Sequence, residues 1–195
     1  MAELVDTAYG PARVHLRPVE SPRAAVALGH GAGGGVESPD LVGATNAANE
    51  RGLSVALIEQ PYRVAGRRSP APARQLDEAW LAVVPQLFSD LPLIVGGRSV
   101  GARVACRTAS ETGAAAVLCL AFPLHPPGRP EKTRLPELDA VTLPTLVIQG
   151  ERDPFGIAPP GPNRQIVVIP GTHSLRSSAR VASVVSEWLA SLLDR

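Results

Sequence analysis

Three short segments of this chain carry the side chains that acyl-transfer chemistry needs. Gly97-Arg98-Ser99-Val100-Gly101 follows the apolar run Leu91–Val95 and precedes a predicted helix, which makes it a G-x-S-x-G pattern in a strand–turn–helix setting. A serine becomes a nucleophile when a sharp turn lifts its Oγ above the sheet and a base takes its proton. Gly97 and Gly101 suit a turn too tight for side chains on either flank. A helix N-terminus beginning at Val100 adds free N–H groups and a dipole that favour a developing oxyanion. The plainer reading, a glycine-rich turn with a capping serine, leaves the other two segments unexplained.

Those segments follow later apolar runs. Gln149–Gly156 (QGERDPFG) comes after Ile148, and Pro170–Ser174 (PGTHS) comes after Ile169. They give the chain order Ser99, Asp153, His173, with the acid and the base each at the end of a predicted strand. His173 would take the Ser99 proton and return it to the leaving group, while a carboxylate fixes the imidazole tautomer. Asp153 is preferred to Glu151, because a carboxylate farther into the loop can turn back toward the histidine. His15 lies near the N-terminus and His125 on a different loop, which leaves His173 as the base.

The glycine-rich stretch Gly29–Gly35 (GHGAGGG) supports two readings. Gly29, Gly31 and Gly34 satisfy G-x-G-x-x-G after a strand, and Glu59 at the end of the next strand could hold a ribose. Against this nucleotide-binding reading, the next helix opens only at Ser38–Pro39, outside the glycines. The favoured reading is an H-G-x-G oxyanion loop, in which the backbone N–H of Ala32 joins that of Val100. His30 is then a structural residue of the loop.

These segments need a frame that brings strand ends together. Ala24–Leu28, Leu53–Ile58, Leu91–Val95, Ala115–Leu120, Leu143–Ile148 and Gln165–Ile169 are continuously apolar, as strands buried on both faces should be. Ala12–Val19 alternates and is expected as an edge strand. Helices are expected from Ser38–Pro39 to about Arg51, along Leu76–Leu87 with Pro85 shortening its end, over Val100–Thr112, and over Ser177–Leu193. Strands alternating with helices predict an α/β protein with a mostly parallel sheet of about six or seven strands and helices on both faces. Ligands in such sheets sit beyond the carboxyl ends of the strands, where all three segments fall.

With 195 residues, 45% hydrophobic and 19% charged, one globular domain over 1–195 is expected. A net charge of +1 gives no global field for nucleic acid or an acidic membrane surface. Lys132 is the only lysine, a sign of coding bias in an arginine-rich chain. Cys106 and Cys119 form no disulfide framework and no metal-ligand spacing, so they read as buried small residues in a reducing compartment. No secretory signal or membrane-length apolar run is visible, and a cytoplasmic protein is expected.

Taken together, HGAGGG, EQPYRVAGRR, GGRSVGAR, FPLHPPGRPEK, QGERDPFG and GTHSL resemble the small, capless α/β-hydrolases of the dienelactone-hydrolase-like branch. More closely, they resemble bacterial relatives of testis-expressed protein 30 and of a chromatin-complex subunit sharing this domain. The resemblance runs from about Ala24 to Leu193 and implies an α/β-hydrolase fold without a cap. It also implies the same triad, Ser99, Asp153 and His173. Dienelactone hydrolases proper use a cysteine nucleophile, so that activity is not implied. Two departures stand out: Pro154–Arg164 is rich in Pro and Gly where the family packs a helix, and Thr172 replaces a common acidic residue.

Without a lid, the site is expected to be shallow, lined by the Phe122–Val141 connection with His125 and by Tyr62–Arg68. Tyr62, Arg63, Arg98 and His125 are the candidate substrate contacts. Arg63, Arg67, Arg68 and Arg98 would form a basic rim for an anionic group, or would simply be solvated surface arginines. The leading expectation is a serine hydrolase cleaving a small ester or thioester, with no cofactor or metal. A catalytically silent interaction module and a nucleotide-binding module are the alternatives.

Overall fold

Apolar runs without alternation need cover on both faces, and here they receive it. In the computed structural model, which describes residues 2–88 and 90–194, the strands are β1 (Ala2–Val5), β2 (Ala12–Arg17), β3 (Ala24–Gly29), β4 (Leu53–Glu59), β5 (Leu93–Arg98), β6 (Ala116–Leu120), β7 (Thr145–Gly150) and β8 (Arg164–Ile169). The helices are α1 (Pro39–Glu50), α2 (Pro61–Val64), α3 (Ala73–Val83), α4 (Val100–Thr108), α5 (Leu135–Asp139) and α6 (Ser178–Leu193). The strands form one eight-stranded sheet across the described residues, in the order β1-β2-β4-β3-β5-β6-β7-β8. From β4 to β8 every pairing is parallel; β1–β2 and β2–β4 are antiparallel.

Two expectations about the sheet need correction. The sheet has eight strands, not six or seven, because β1 was missed. It is four residues long and mostly exposed, so it carries no apolar signal. Consequently Ala12–Arg17 is not the edge strand; β1 covers it with the register Ala2↔His15 to Val5↔Ala12. The helix over Leu76–Leu87 is shortened by Pro85 as expected: it ends at Val83 and passes into a 3-10 turn, Val84–Gln86, which contains Pro85.

The core lies in two layers, one on each face of the sheet. Leu41, Ala44 and Ala48 of α1 and Val181, Val185, Trp188 and Leu189 of α6 bury against one face. Leu76, Trp80 and Val83 of α3, with Ala102 and Ala105 of α4, bury against the other. Ion pairs brace α4, which carries the Ser99 turn at its N-terminus. Arg107 reaches Asp77 of α3 at 2.6 Å, and Arg103 reaches Glu137 of α5 at 2.5 Å. The Cys106 and Cys119 thiols are free, buried and 3.5 Å apart, between α4 and β6. Hydrogen bonding to Cys106 and burial push the Cys119 thiol up, so it stays protonated. Among the described residues no helix is long and apolar enough to cross a membrane.

Candidate active site

The segments singled out in the sequence meet at the carboxyl ends of β3, β5, β7 and β8. β5 runs to Arg98, and α4 starts at Val100, so Ser99 alone makes the turn, with φ 53° and ψ −109°. That left-handed backbone is uncommon for a residue with a Cβ and stores strain. The chain can bend so tightly because the positions two residues to either side, Gly97 and Gly101, carry no side chain. A Cβ at Gly97 would stand 2.5 Å from the Gly29 carbonyl oxygen, and one at Gly101 would stand 2.4 Å from it. The Ser99 N–H donates to the Leu120 carbonyl at 2.9 Å, which pins the turn to β6.

Ser99, His173 and Asp153 form one chain of hydrogen bonds. His173 Nε2 lies 2.9 Å from Ser99 Oγ, and His173 Nδ1 lies 2.9 Å from Asp153 Oδ2. Ser99 is 8% exposed and Asp153 8%, so solvent competes little for these bonds. Glu151, the other acid considered, stands exposed beside Arg152.

No helix follows Asp153 before β8, yet its carboxylate is held at both oxygens. Gln149 Nε2 donates to Oδ2 at 2.5 Å, and the Phe155 N–H donates to Oδ1 at 2.8 Å. Gln149 also donates to the Phe122 carbonyl at 3.2 Å. The acid and histidine loops are tied by Glu151 N–H to Ile169 O at 2.9 Å and Arg152 N–H to Gly171 O at 3.0 Å. The Phe155 ring packs on the His173 ring with centroids 4.2 Å apart. Gln149 and Phe155 therefore fix the carboxylate without a helix beside it. Both stand in the block QGERDPFG, but nothing in their residue types or spacing marked them.

The glycine-rich loop folds over the Ser99 turn. A Cβ placed on Gly31 would be 3.6 Å from the Ser99 Cβ, and the loop stays outside the helix, which opens at Pro39. His30 is buried and uses both ring nitrogens. Nδ1 lies 2.7 Å from the Gly31 carbonyl, and Nε2 accepts from the Gln60 N–H at 3.1 Å. Burial holds its pKa below the usual histidine value. Glu59 is not free for a ribose, since it pairs with Arg13 at 3.0 Å and with His15 at 3.1 Å. Burial pushes its carboxyl up, but those two partners outweigh it and hold the pKa low.

The four expected substrate contacts fall in different places. Tyr62 is buried, and its hydroxyl donates to the Ala32 carbonyl at 3.1 Å, which braces the glycine loop from behind. Burial pushes its pKa up to about 12, so the hydroxyl remains a donor. Arg98 stands apart from the expected rim: its Nε donates to Asp40 Oδ2 at 2.8 Å, and its Nη2 to the His173 carbonyl at 3.2 Å. Arg63 is half-buried, with Nη1 3.3 Å from the Arg67 carbonyl, while Arg67 and Arg68 are exposed. His125 sits beside the acid loop, where its N–H donates to the Phe155 carbonyl at 3.0 Å and its ring faces Gly156. Among the described residues no cluster of three or more His, Cys, Asp or Glu has the placement of metal ligands.

Comparison with known proteins agrees with this architecture. No curated protein sequence matches the chain. A lidless α/β serine hydrolase from Xanthomonas campestris superposes with a TM-score of 0.78 at 19% identity, covering 100% of this chain and 95% of its own. Est1E from Butyrivibrio proteoclasticus is similar at TM-score 0.78 and 19% identity, covering 100% and 99%. A dienelactone hydrolase from Anabaena variabilis gives 0.75 at 20% identity, covering 98% and 96%. At these identities the likeness shows the fold, an α/β-hydrolase fold. The family described as alpha/beta hydrolase domain matches residues 22–176, which holds the glycine loop, the serine turn and both loops after β7 and β8. The chain belongs to the α/β-hydrolase domain family.

Proposed function

We propose that this protein is a serine hydrolase that cleaves a small ester or thioester through an acyl-enzyme. The observation that carries the reading is the unbroken chain from Ser99 Oγ through His173 to Asp153, with both links at 2.9 Å. In the first half-reaction His173 Nε2 takes the Ser99 proton as Oγ bonds to the substrate carbonyl carbon. The carbonyl oxygen becomes an oxyanion, stabilised by the backbone N–H groups of Ala32 and Val100. The imidazolium then gives its proton to the departing alkoxide or thiolate, which leaves the acyl group on Ser99. Water repeats the sequence: Nε2 takes a proton, hydroxide adds to the acyl carbon, and Ser99 leaves with that proton. Asp153 keeps the Nδ1–H tautomer and offsets the imidazolium charge at each transfer.

The pre-strained serine backbone and the close approach of the glycine loop support the same assignment. His125 and Arg63 are our candidates for the mouth of the site, with Tyr62 and Arg98 shaping it from behind. Two free, buried cysteines and a net charge of +1 support a cytoplasmic enzyme acting on a small molecule, without nucleic acid or membrane as partner. The motif blocks also support a place beside the bacterial relatives of testis-expressed protein 30. One neighbouring fold, Est1E, is known with ferulic acid bound, so hydroxycinnamate esters belong in a substrate screen.

The test is a fluorophosphonate probe followed by mass spectrometry, with p-nitrophenyl and thioester substrates of graded acyl length. The expected result is a single adduct on Ser99 and turnover that Ser99→Ala removes. Folded protein that takes no label would instead favour a silent, hydrolase-like interaction module.

A further inference from the structure

Arg98 occupies the first variable position of the G-x-S-x-G turn, directly before Ser99. Here it is only 15% exposed and touches three separate parts of the site. Its Nε donates to Asp40 Oδ2 at 2.8 Å, and Asp40 is 1% exposed in the first turn of α1. The other Asp40 oxygen accepts from the Leu41 N–H at 2.9 Å, so the carboxylate is fixed before it meets the arginine. Arg98 Nη2 donates to the main-chain carbonyl of His173 at 3.2 Å. Its Nη1 lies under the glycine loop, 2.5 Å from where a Cβ on Gly31 would stand.

A buried ion pair is a poor device for stability alone, because desolvation offsets most of the attraction. A guanidinium is suited to something else. Its donors point in fixed, divergent directions, so one end can be anchored while another holds a distant acceptor. The His173 carbonyl sits on the irregular segment between β8 and α6, which lacks a helix or strand of its own at that point. We propose that Asp40 and Arg98 form a positioning pair that fixes the backbone of His173, and with it the imidazole, over Ser99. The role rests on the hydrolase reading given above. Arg98 touches no reacting atom; it acts through His173. Its guanidinium is therefore already committed, which also removes it from the arginines able to meet an anionic substrate.

The experiment compares Arg98→Met, Arg98→Lys and Asp40→Asn with the wild-type protein. It reads kcat and KM on a p-nitrophenyl ester, the thermal midpoint, and the low-field proton NMR signal of His173 Nδ1–H. A small misplacement of a catalytic group costs about tenfold to a hundredfold in rate. Arg98→Met is expected to lose that much kcat, keep KM within about twofold, and broaden or lose the low-field signal. Arg98→Lys, able to satisfy one of the two acceptors, is expected to recover part of kcat. If Arg98→Met fails to fold, Asp40→Asn carries the test, since it keeps the shape but removes the negative charge that anchors the guanidinium. A folded Arg98→Met or Asp40→Asn protein with wild-type kcat and an unchanged signal overturns the proposal, as does a wild-type protein with no such signal. Failure of the hydrolase reading is distinguishable: Ser99 would then take no label, while the signal would still respond to Arg98.

Discussion

The turn at Ser99 stores strain that a glycine would release, and that release can be measured. Ser99 holds φ 53° and ψ −109°, a conformation glycine enters freely and other residues enter at a cost of about 1–3 kcal/mol. Glycine also loosens the unfolded chain, which costs about 0.4–1 kcal/mol. The useful comparison is Ser99→Gly against Ser99→Ala, because both lose the 2.9 Å hydrogen bond to His173 and that loss cancels. The net difference centres on about 1 kcal/mol in favour of glycine. For a chain of this size that corresponds to a midpoint about 2–4 °C higher. Thermal and urea unfolding followed by circular dichroism would read it, and neither variant should turn over an ester. If Ser99→Gly melts at or below Ser99→Ala, the backbone at this position carries no strain and the argument is wrong. A positive result would show stability given up at Ser99 for geometry.

Other predictions follow from the supporting residues. Gly101→Ala forces a Cβ to 2.4 Å from the backbone oxygen of Gly29, so we expect a loss of about 1–3 kcal/mol in the urea midpoint at unchanged slope. Gly33→Ala, which meets open space, is the control and should change neither stability nor slope. Gln149→Leu removes a donor to the Asp153 carboxylate; a charge-assisted hydrogen bond of about 1.5–3 kcal/mol predicts kcat about tenfold to a hundredfold lower with little change in KM. His30 is held neutral by burial and accepts the Gln60 N–H, so the unfolded chain binds its proton more readily than the folded one. Stability should therefore fall as the pH drops below about 6.5, and the melting temperature of His30→Gln should depend less on pH across that window.

Much of this was legible in the sequence because the signals were local. Buried strands announce themselves as apolar runs, so β3, β4, β6, β7 and β8 lie within two residues of where the runs stand. The run at Leu91–Val95 extends as a strand through Gly96 and Gly97 to Arg98, glycines that read as turn in isolation but pair with β3 and β6. β1 gave no signal because an exposed, four-residue strand needs its partner β2 to exist at all. The Pro/Gly-rich stretch after Asp153 forms no helix, in keeping with its composition. What it could not say was that Gln149 and Phe155 would hold the carboxylate in its place.

The motif that opened the reading divides the same way. Ser99, Asp153 and His173 were named from residue type, order and position at strand ends, all of which are properties of the chain itself. Their meeting at 2.9 Å depends on parallel pairing that sets β5, β6, β7 and β8 in succession, with their carboxyl ends on the same edge of the sheet. Glu59 and Arg98 show where sequence alone stops. Glu59 could have faced a ribose until β2 paired antiparallel with β4, placing Arg13 opposite Glu59. Arg98 looked like a surface charge until α1 delivered Asp40 beneath it. A side chain's type is written in the chain, whereas its partner is set by which distant elements the sheet brings alongside.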